Sequence, residues 1–230
     1  MCFDDNNKQP LNGGRITKGI FLQYGVVHRP KRPNSAFVAG VLSYAHANGL
    51  DYVPEYLGED EDGNDMFSFV PGEVPTDLGA FSDIQLCRAA GLIRRFHAIM
   101  RSYSSGERLT VCHNDLSPCN FTFVDGMPSG IIDFDACAFG EAEDDLAYAL
   151  WMWLDIGNTD HEPQSVARRF RLMRQAYGCD SNDLGLAERM LKQMSRVEYS
   201  VFTDPEQTQK AAAWAHSCAN WLKTTLITLM

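Results

Sequence analysis

The chain has 230 residues, of which 45% are hydrophobic and 22% charged, and its formal net charge is −10 at pH 7. This composition is typical of a folded globular protein with one large domain or two small lobes. The acidic balance argues against general nucleic-acid binding, which needs a basic face to displace counterions from phosphates. It fits a cationic or metal-bound small substrate, although a solvated acidic surface gives the same net charge.

Three features of the sequence lead us to expect a cytoplasmic protein: the start of the chain, its apolar stretches and its cysteines. The start, MCFDDNNKQP, is polar and acidic and lacks the apolar core of a secretory signal. The apolar stretch AYALWMWL is too short to cross a bilayer, so we expect no membrane partner. The seven cysteines include no CxxC pair, which favours free thiols in a reducing compartment.

The first 70 residues combine short apolar runs with many turn residues. Residues 20–28 are rich in Val and broken at Gly25, which predicts a hairpin or two short strands. A helix follows over SAFVAGVLSYAHANG, with Ser35 as its N-cap and Gly49 just past its end. The apolar runs on either side of DEDGN predict a second hairpin. The segment PGEVPTDLG then predicts a connector.

The rest of the chain is mostly helical in pattern. Residues 82–100, SDIQLCRAAGLIRRFHAIM, have apolar residues at helical spacing, and helical patterns recur from Glu143 onward. We therefore predict an α+β fold with two lobes. A small strand-rich lobe covers residues 1–70, a larger helical lobe covers residues 71–230, and a cleft lies between them.

A cluster of polar residues lies in CHNDLSPCN (112–120) and IIDFD (131–135). Pro118 interrupts the first segment, so we expect a loop there. If FTFV pairs with GIID, Asn120 and Asp133 come to the same edge. Their amide and carboxylate oxygens suit Mg²⁺, which completes its shell with waters and substrate phosphates. Asp115 faces the same place, where a base accepting a hydroxyl proton is expected.

HNDLSPCN followed by IIDFD resembles the catalytic loop and metal-binding strand of the aminoglycoside phosphotransferase-like family, whose members are relatives of the protein kinases. The resemblance covers roughly residues 11–155 and includes FSFVPGEVP as lobe connector and EAEDDLAYALW as the helix after the loop. It implies a kinase-like fold with a truncated N-terminal lobe. It also implies transfer of the γ-phosphate of ATP or GTP to a hydroxyl of a small molecule, with Mg²⁺ as cofactor.

The resemblance also implies roles for individual residues around the catalytic loop. Asp115 is the catalytic base, and His113 is the catalytic-loop histidine, with a packing and hydrogen-bonding role. Asn120 and Asp133 hold Mg²⁺, and Asp135 is a candidate further ligand. Asp145 supports the loop from the next helix. The nucleotide is bound by two further segments: Gly13 and Gly14 cover its phosphates, and backbone groups of Ser68, Phe69 and Val70 meet the adenine.

The sequence departs from the family pattern on the nucleotide side. The strand ending VVHRP has His28 and Arg29 where the family has a lysine, so Arg29 is the candidate phosphate ligand. The following helix has no Glu for the usual ion pair. Two alternatives therefore stay open: a non-catalytic protein that binds a nucleotide or ligand, and a metal-dependent phosphohydrolase. The sequence does not distinguish an aminoglycoside-like acceptor from another amino alcohol or metabolite, ATP from GTP, or a monomer from a dimer.

Overall fold

The computed structural model describes residues 8–11, 19–78, 81–104, 109–200 and 204–230. Gly13 and Gly14, predicted to cover the nucleotide phosphates, lie outside these ranges. Within them, a five-stranded antiparallel sheet lies in the N-terminal part and helices dominate the C-terminal part. The predicted α+β fold is confirmed.

The N-terminal sheet has the strand order β1-β2-β3-β5-β4. Its strands are Gln9–Pro10 (β1), Phe21–Gln23 (β2), Val26–Arg29 (β3), Tyr56–Glu59 (β4) and Asp65–Ser68 (β5). Both predicted hairpins are confirmed, since β2 pairs with β3 and β4 pairs with β5. Tyr24 and Gly25 make the first turn with φ of 52° and 78°, which suits a two-residue hairpin connection.

Helix α1, Ser35–Ala47, connects β3 to β4. Its N-cap residue is Asn34, so the prediction of Ser35 was wrong by one position. The Ser35 hydroxyl is used differently, because it accepts the backbone N–H of Arg32 at 2.9 Å and donates to Asp65. Gly49 follows the helix end at φ 82°, a left-handed conformation that favours glycine.

Helix α2, Asp83–Met100, begins with a capping box. The backbone N–H of Gln85 donates to the Ser82 hydroxyl at 3.3 Å, and the backbone N–H of Ser82 donates to the Gln85 side chain at 2.7 Å. These bonds satisfy two backbone donors that have no partner within the helix. The local sequence therefore fixes where α2 begins.

Four short strands surround the polar cluster. They are Thr110–Cys112 (β6), Phe121–Val124 (β7), Met127–Ile131 (β8) and Ala138–Gly140 (β9). Strand β7 pairs with β8 as predicted, but β8 begins at Met127, earlier than GIID, and a register shift lies beside Pro128. Proline cannot donate to the ladder, so it is tolerated at such an irregularity. Strand β9, which pairs with β6, was not predicted because AFG is too short for a strand pattern.

The helical part continues after these strands. Its helices are Ala142–Trp153 (α3), Pro163–Tyr177 (α4), Asp183–Glu198 (α5) and Pro205–Trp221 (α6). Helix α2 packs on α4, and α5 packs on both α3 and α6. The buried apolar residues form one cluster that extends from α1 and β5 into the helices. Among the described helices, none has the length and apolarity needed to span a membrane.

The connector between the sheet and α2 is tied to β7. Glu73 and Phe123 exchange backbone hydrogen bonds of 2.9 and 2.8 Å. Gly72 has φ 132°, and a Cβ there would lie 2.8 Å from the Phe123 carbonyl oxygen. Position 72 therefore requires glycine for two reasons: a Cβ would clash with the backbone of Phe123, and residues with a side chain rarely adopt this φ. The boundary between residues 1–70 and 71–230 stays a prediction.

We predict that Gly72→Ala lowers the free energy of unfolding by about 2–4 kcal/mol, through backbone strain and the clash with Phe123. Urea unfolding followed by circular dichroism measures this change. Gly91→Ala is the matched control, since Gly91 lies in α2 and a Cβ there meets nothing within 4 Å. It should raise stability by about 0.5–1 kcal/mol. Equal unfolding midpoints for the two variants would contradict the prediction.

Candidate active site

The loop after β6 is held by the carboxylate of Asp145 on α3. The backbone N–H groups of His113 and Asn114 donate to it at 2.7 and 2.8 Å. His97 on α2 donates from Nε2 at 3.0 Å. Burial would raise the pKa of Asp145, but the hydrogen bonds from His97 and from the backbone of His113 hold it below the ordinary value. The buried charge therefore fixes the start of the loop.

His97 is a residue that the sequence analysis missed. Its ring lies within α2 and is buried, with Nδ1 accepting the Tyr177 hydroxyl at 2.8 Å while Nε2 meets Asp145. His97, Cys112 and Asp145 offer ligand atoms within 4.8 Å of one another. The histidine nitrogens and the carboxylate oxygens already have hydrogen-bond partners, so the cluster is better explained as a structural network. A histidine on the apolar face of a predicted helix was the available signal.

His113 links the loop to the segment after β8 that carries Asp133; the strand itself ends at Ile131, before the Asp133 that it was predicted to include. Its Nδ1 accepts the backbone N–H of Asp115 at 3.3 Å, so Nε2 carries the proton and donates to the carbonyl of Ile132 at 2.9 Å. The ring packs edge-on against Phe134, with centroids 4.7 Å apart. Both nitrogens are thus engaged within the protein, which favours a packing role for His113.

The pairing of β7 with β8 brings Asn120 next to Asp133. Phe121 lies opposite Ile131, and the Ile132 backbone N–H donates to the Asn120 carbonyl at 2.9 Å. The Asn120 side-chain NH₂ donates to the Asp115 carbonyl at 2.8 Å, which leaves its amide oxygen for a ligand. Asp133 has the left-handed conformation φ 64°, ψ 67°, and its side chain is 41% exposed. Through Asn120, the backbone of Asp115 is therefore connected to the segment that carries Asp133.

Arg29 reaches Asp133 from β3. One guanidinium nitrogen lies 3.3 Å from a carboxylate oxygen of Asp133 and contacts Asp135, while Arg32 lies 3.6 Å from Asp135. Burial raises the pKa of Asp135, and Arg29 offsets part of that effect. His28 takes another direction, since it pairs with an acidic residue of the second hairpin, Asp60, at 2.8 Å. The two acids of IIDFD already face a cation.

The predicted adenine segment, Ser68 to Val70, follows β5 directly. The backbone N–H of Ser68 donates to Glu55 at 2.9 Å, and that of Phe69 donates to Gly25 at 3.2 Å. Two of its three backbone donors are therefore engaged within the sheet. An adenine contact stays a prediction and rests on the other backbone groups of the segment.

Comparison with known proteins identifies the family that this chain resembles. Residues 92–179, from within α2 to the end of α4, match the model of the phosphotransferase enzyme family. The trifolitoxin immunity protein of Rhizobium leguminosarum bv. trifolii is 25% identical over 248 aligned positions, which cover 91% of this chain and 92% of that protein. The predicted resemblance to the phosphotransferase family is confirmed.

Solved structures share the fold. The amicoumacin kinase hAmiN, in complex with AMP-PNP, Ca²⁺ and Ami, has a TM-score of 0.64 at 13% identity, over 97% of this chain and 90% of that one. The macrolide 2′-phosphotransferase MphH of Brachybacterium faecium has a TM-score of 0.58 at 16% identity, over 96% and 93%. These likenesses show the kinase-like fold.

We predict that Asp145→Asn lowers the free energy of unfolding by about 3 kcal/mol at pH 7, because an amide NH₂ then faces backbone donors in a buried site. The folded-state pKa of Asp145 is below its ordinary value of 3.8. Its contribution is therefore fully present above pH 4 and is lost as pH falls through the folded-state value. Urea unfolding between pH 3 and 7 should show the difference from wild type narrowing below pH 4. The exposed Asp77→Asn should match wild type throughout, and a difference independent of pH would contradict the assignment.

Proposed function

We propose that this chain, which matches the phosphotransferase enzyme family over residues 92–179, transfers the γ-phosphate of ATP or GTP to a hydroxyl of a small molecule with Mg²⁺ as cofactor. The hydrogen bonds that connect Asp115, through Asn120, to the segment carrying Asp133 support this proposal. Phosphoryl transfer through a loose transition state depends mostly on positioning and charge neutralisation. The site supplies both, through a fixed loop and neighbouring acids.

The donor set fits Mg²⁺. The Asn120 amide oxygen and the carboxylates of Asp133 and Asp135 are hard oxygen ligands, and the two acids already face the Arg29 cation. Asn120, Asp133 and Asp135 would hold the ion, which would supply positive charge to the nucleotide phosphates and to the transferred group. The nucleotide and divalent ion in the hAmiN complex support this part of the proposal.

Asp115 is the residue to which we assign the role of base for the acceptor. Its backbone is fixed on both sides, because its N–H donates to His113 and its carbonyl accepts from Asn120. As the acceptor oxygen attacks phosphorus, its proton passes to the Asp115 carboxylate and the nucleoside diphosphate leaves. In this proposal, Arg29 contributes a fixed positive charge to a phosphate oxygen.

Relatives support a hydroxyl-bearing antimicrobial compound as the acceptor. The curated relative is a trifolitoxin immunity protein. The two structural neighbours described above are an amicoumacin kinase and a macrolide 2′-phosphotransferase. The net charge of −10 favours an acceptor with an amino group. We infer a cytoplasmic location for the protein, because the proposed reaction uses a nucleoside triphosphate.

One observation favours a second function, a non-catalytic protein that binds a nucleotide or ligand. Arg29 forms ion pairs with Asp133 and Asp135, and α1 supplies no Glu to hold it elsewhere. A protein that kept this arrangement would bind ligands without turnover.

A phosphohydrolase would release phosphate from the nucleotide with no acceptor present.

We predict that wild-type protein phosphorylates at least one acceptor in a panel of aminoglycosides, macrolides and amino alcohols, measured by mass spectrometry with Mg²⁺-ATP and Mg²⁺-GTP. Asp115→Ala should lower the transfer rate about 10²–10⁴-fold, the contribution of a general base, and keep nucleotide affinity within about twofold. Asp133→Asn should weaken Mg²⁺-nucleotide binding in calorimetry. Asp125→Asn, on the exposed turn between β7 and β8, is the control and should leave both unchanged. Normal transfer by Asp115→Ala would refute the proposed role.

Replacement of Arg29 should have opposite effects on the binding of Mg²⁺ and of ATP. We predict that Arg29→Ala raises the affinity for Mg²⁺ alone, because it removes the cation that competes for Asp133 and Asp135. The same change should weaken ATP binding about 10-fold by removing a phosphate partner. Titration calorimetry with Mg²⁺ and then with Mg²⁺-ATP measures both. Weaker binding of both ligands would contradict the placement of Arg29.

A further inference from the structure

The carboxylate of Asp115 has a specific partner on the next helix. The Tyr148 hydroxyl donates to its Oδ1 at 2.9 Å. Burial, followed by the charge of Asp115, raises the pKa of Tyr148 well above its ordinary value. The phenol therefore keeps its proton and acts as a donor. Nothing in the sequence motif names this residue.

Tyr148 belongs to a set of α3 residues that together hold the loop. Asp145 accepts the backbone N–H groups of His113 and Asn114, and the Trp153 indole N–H donates to the Leu116 carbonyl at 3.1 Å. Tyr148 lies three residues after Asp145, on the same helix face. The helix thus contacts the backbone on both sides of Asp115 and the Asp115 carboxylate itself.

Packing holds the Tyr148 ring in place. Trp151 meets it edge-on, with centroids 5.9 Å apart and an interplanar angle of 79°. Trp151 in turn stacks on Trp214 of α6, with centroids 4.7 Å apart. A ring fixed in this way presents its hydroxyl in one direction, so the bond to Asp115 costs little side-chain freedom.

We propose that Tyr148 is a positioning residue that fixes the Asp115 carboxylate for phosphoryl transfer. The inference rests on the proposed function. By bonding to Oδ1, Tyr148 sets the rotation of the carboxylate and leaves Oδ2 to take the proton of the acceptor hydroxyl. The oxygen–phosphorus bond then forms as the bond to the leaving nucleoside diphosphate breaks. Tyr148 itself keeps its proton and touches neither substrate.

The test is steady-state kinetics of Tyr148→Phe, which keeps the packed ring and removes the hydroxyl. We expect kcat to fall about 10- to 100-fold, with KM for nucleotide and acceptor within about twofold. Tyr52→Phe is the control, since it also removes a buried hydroxyl, one that donates to the Leu92 carbonyl at 2.8 Å. It should keep kcat within about twofold. An unchanged kcat in Tyr148→Phe, or a loss confined to KM, would overturn the proposal.

A double-mutant cycle separates positioning from a general structural effect. In an Asp115→Asn background, adding Tyr148→Phe should change the residual rate by less than about twofold, because the carboxylate it positions is gone. An equal loss in both backgrounds would overturn the proposal.

A spectroscopic reading of the contact needs no turnover. With ¹³Cζ-labelled tyrosine, the Tyr148 signal, assigned by its loss in Tyr148→Phe, should move in Asp115→Asn while the Tyr52 signal stays in place. A stationary Tyr148 signal would overturn the contact even if wild-type protein is active. A moving signal in a protein that transfers no phosphate would support the contact and refute the proposed function.

Discussion

The candidate site depends on one buried negative charge, the carboxylate of Asp145. The loop after β6 turns sharply at Asn114, at φ 63°, and its first backbone N–H groups find no partners within a helix or sheet. Unpaired buried donors cost free energy comparable to a lost hydrogen bond. Asp145 satisfies two of them and is itself satisfied by His97. The low dielectric strengthens these bonds and makes the loss of any member costly.

A second constraint acts across the sheet edge, where acids of the helical part face a cation of the N-terminal sheet. Asp133 and Asp135 are separated by a single residue, Phe134, and would repel each other without a positive partner. Arg29 supplies that partner from β3, and Arg32 adds a weaker contact to Asp135. The ion pairs of Arg29 with Asp133 and Asp135 therefore join the N-terminal sheet to the segment that follows β8.

The sequence identified the residues whose placement is local. Asn120 and Asp133 follow from hairpin pairing between β7 and β8, and the start of α2 follows from its capping box. The residues that were missed act over long distances in the chain: His97 contacts Asp145 across 48 residues, and Tyr148 contacts Asp115 across 33. No local pattern encodes such contacts, which arise when α2 and α3 pack against β6. The error at Ser35 has the same origin, since its hydroxyl bonds to Asp65 in another strand.

The orientation of the Asp115 carboxylate separates the catalytic interpretation from simple binding. Asn114 and Asp133 have positive φ, 63° and 64°, which Asn and Asp adopt more readily than most residues, so this backbone conformation serves a binding site as well as a catalytic one. Ligand binding alone requires only charges of the right sign close together. The bond from Tyr148 to Asp115 adds an orientation that a bound cation does not need. A fixed orientation is expected where a carboxylate must meet a reacting hydroxyl in one geometry.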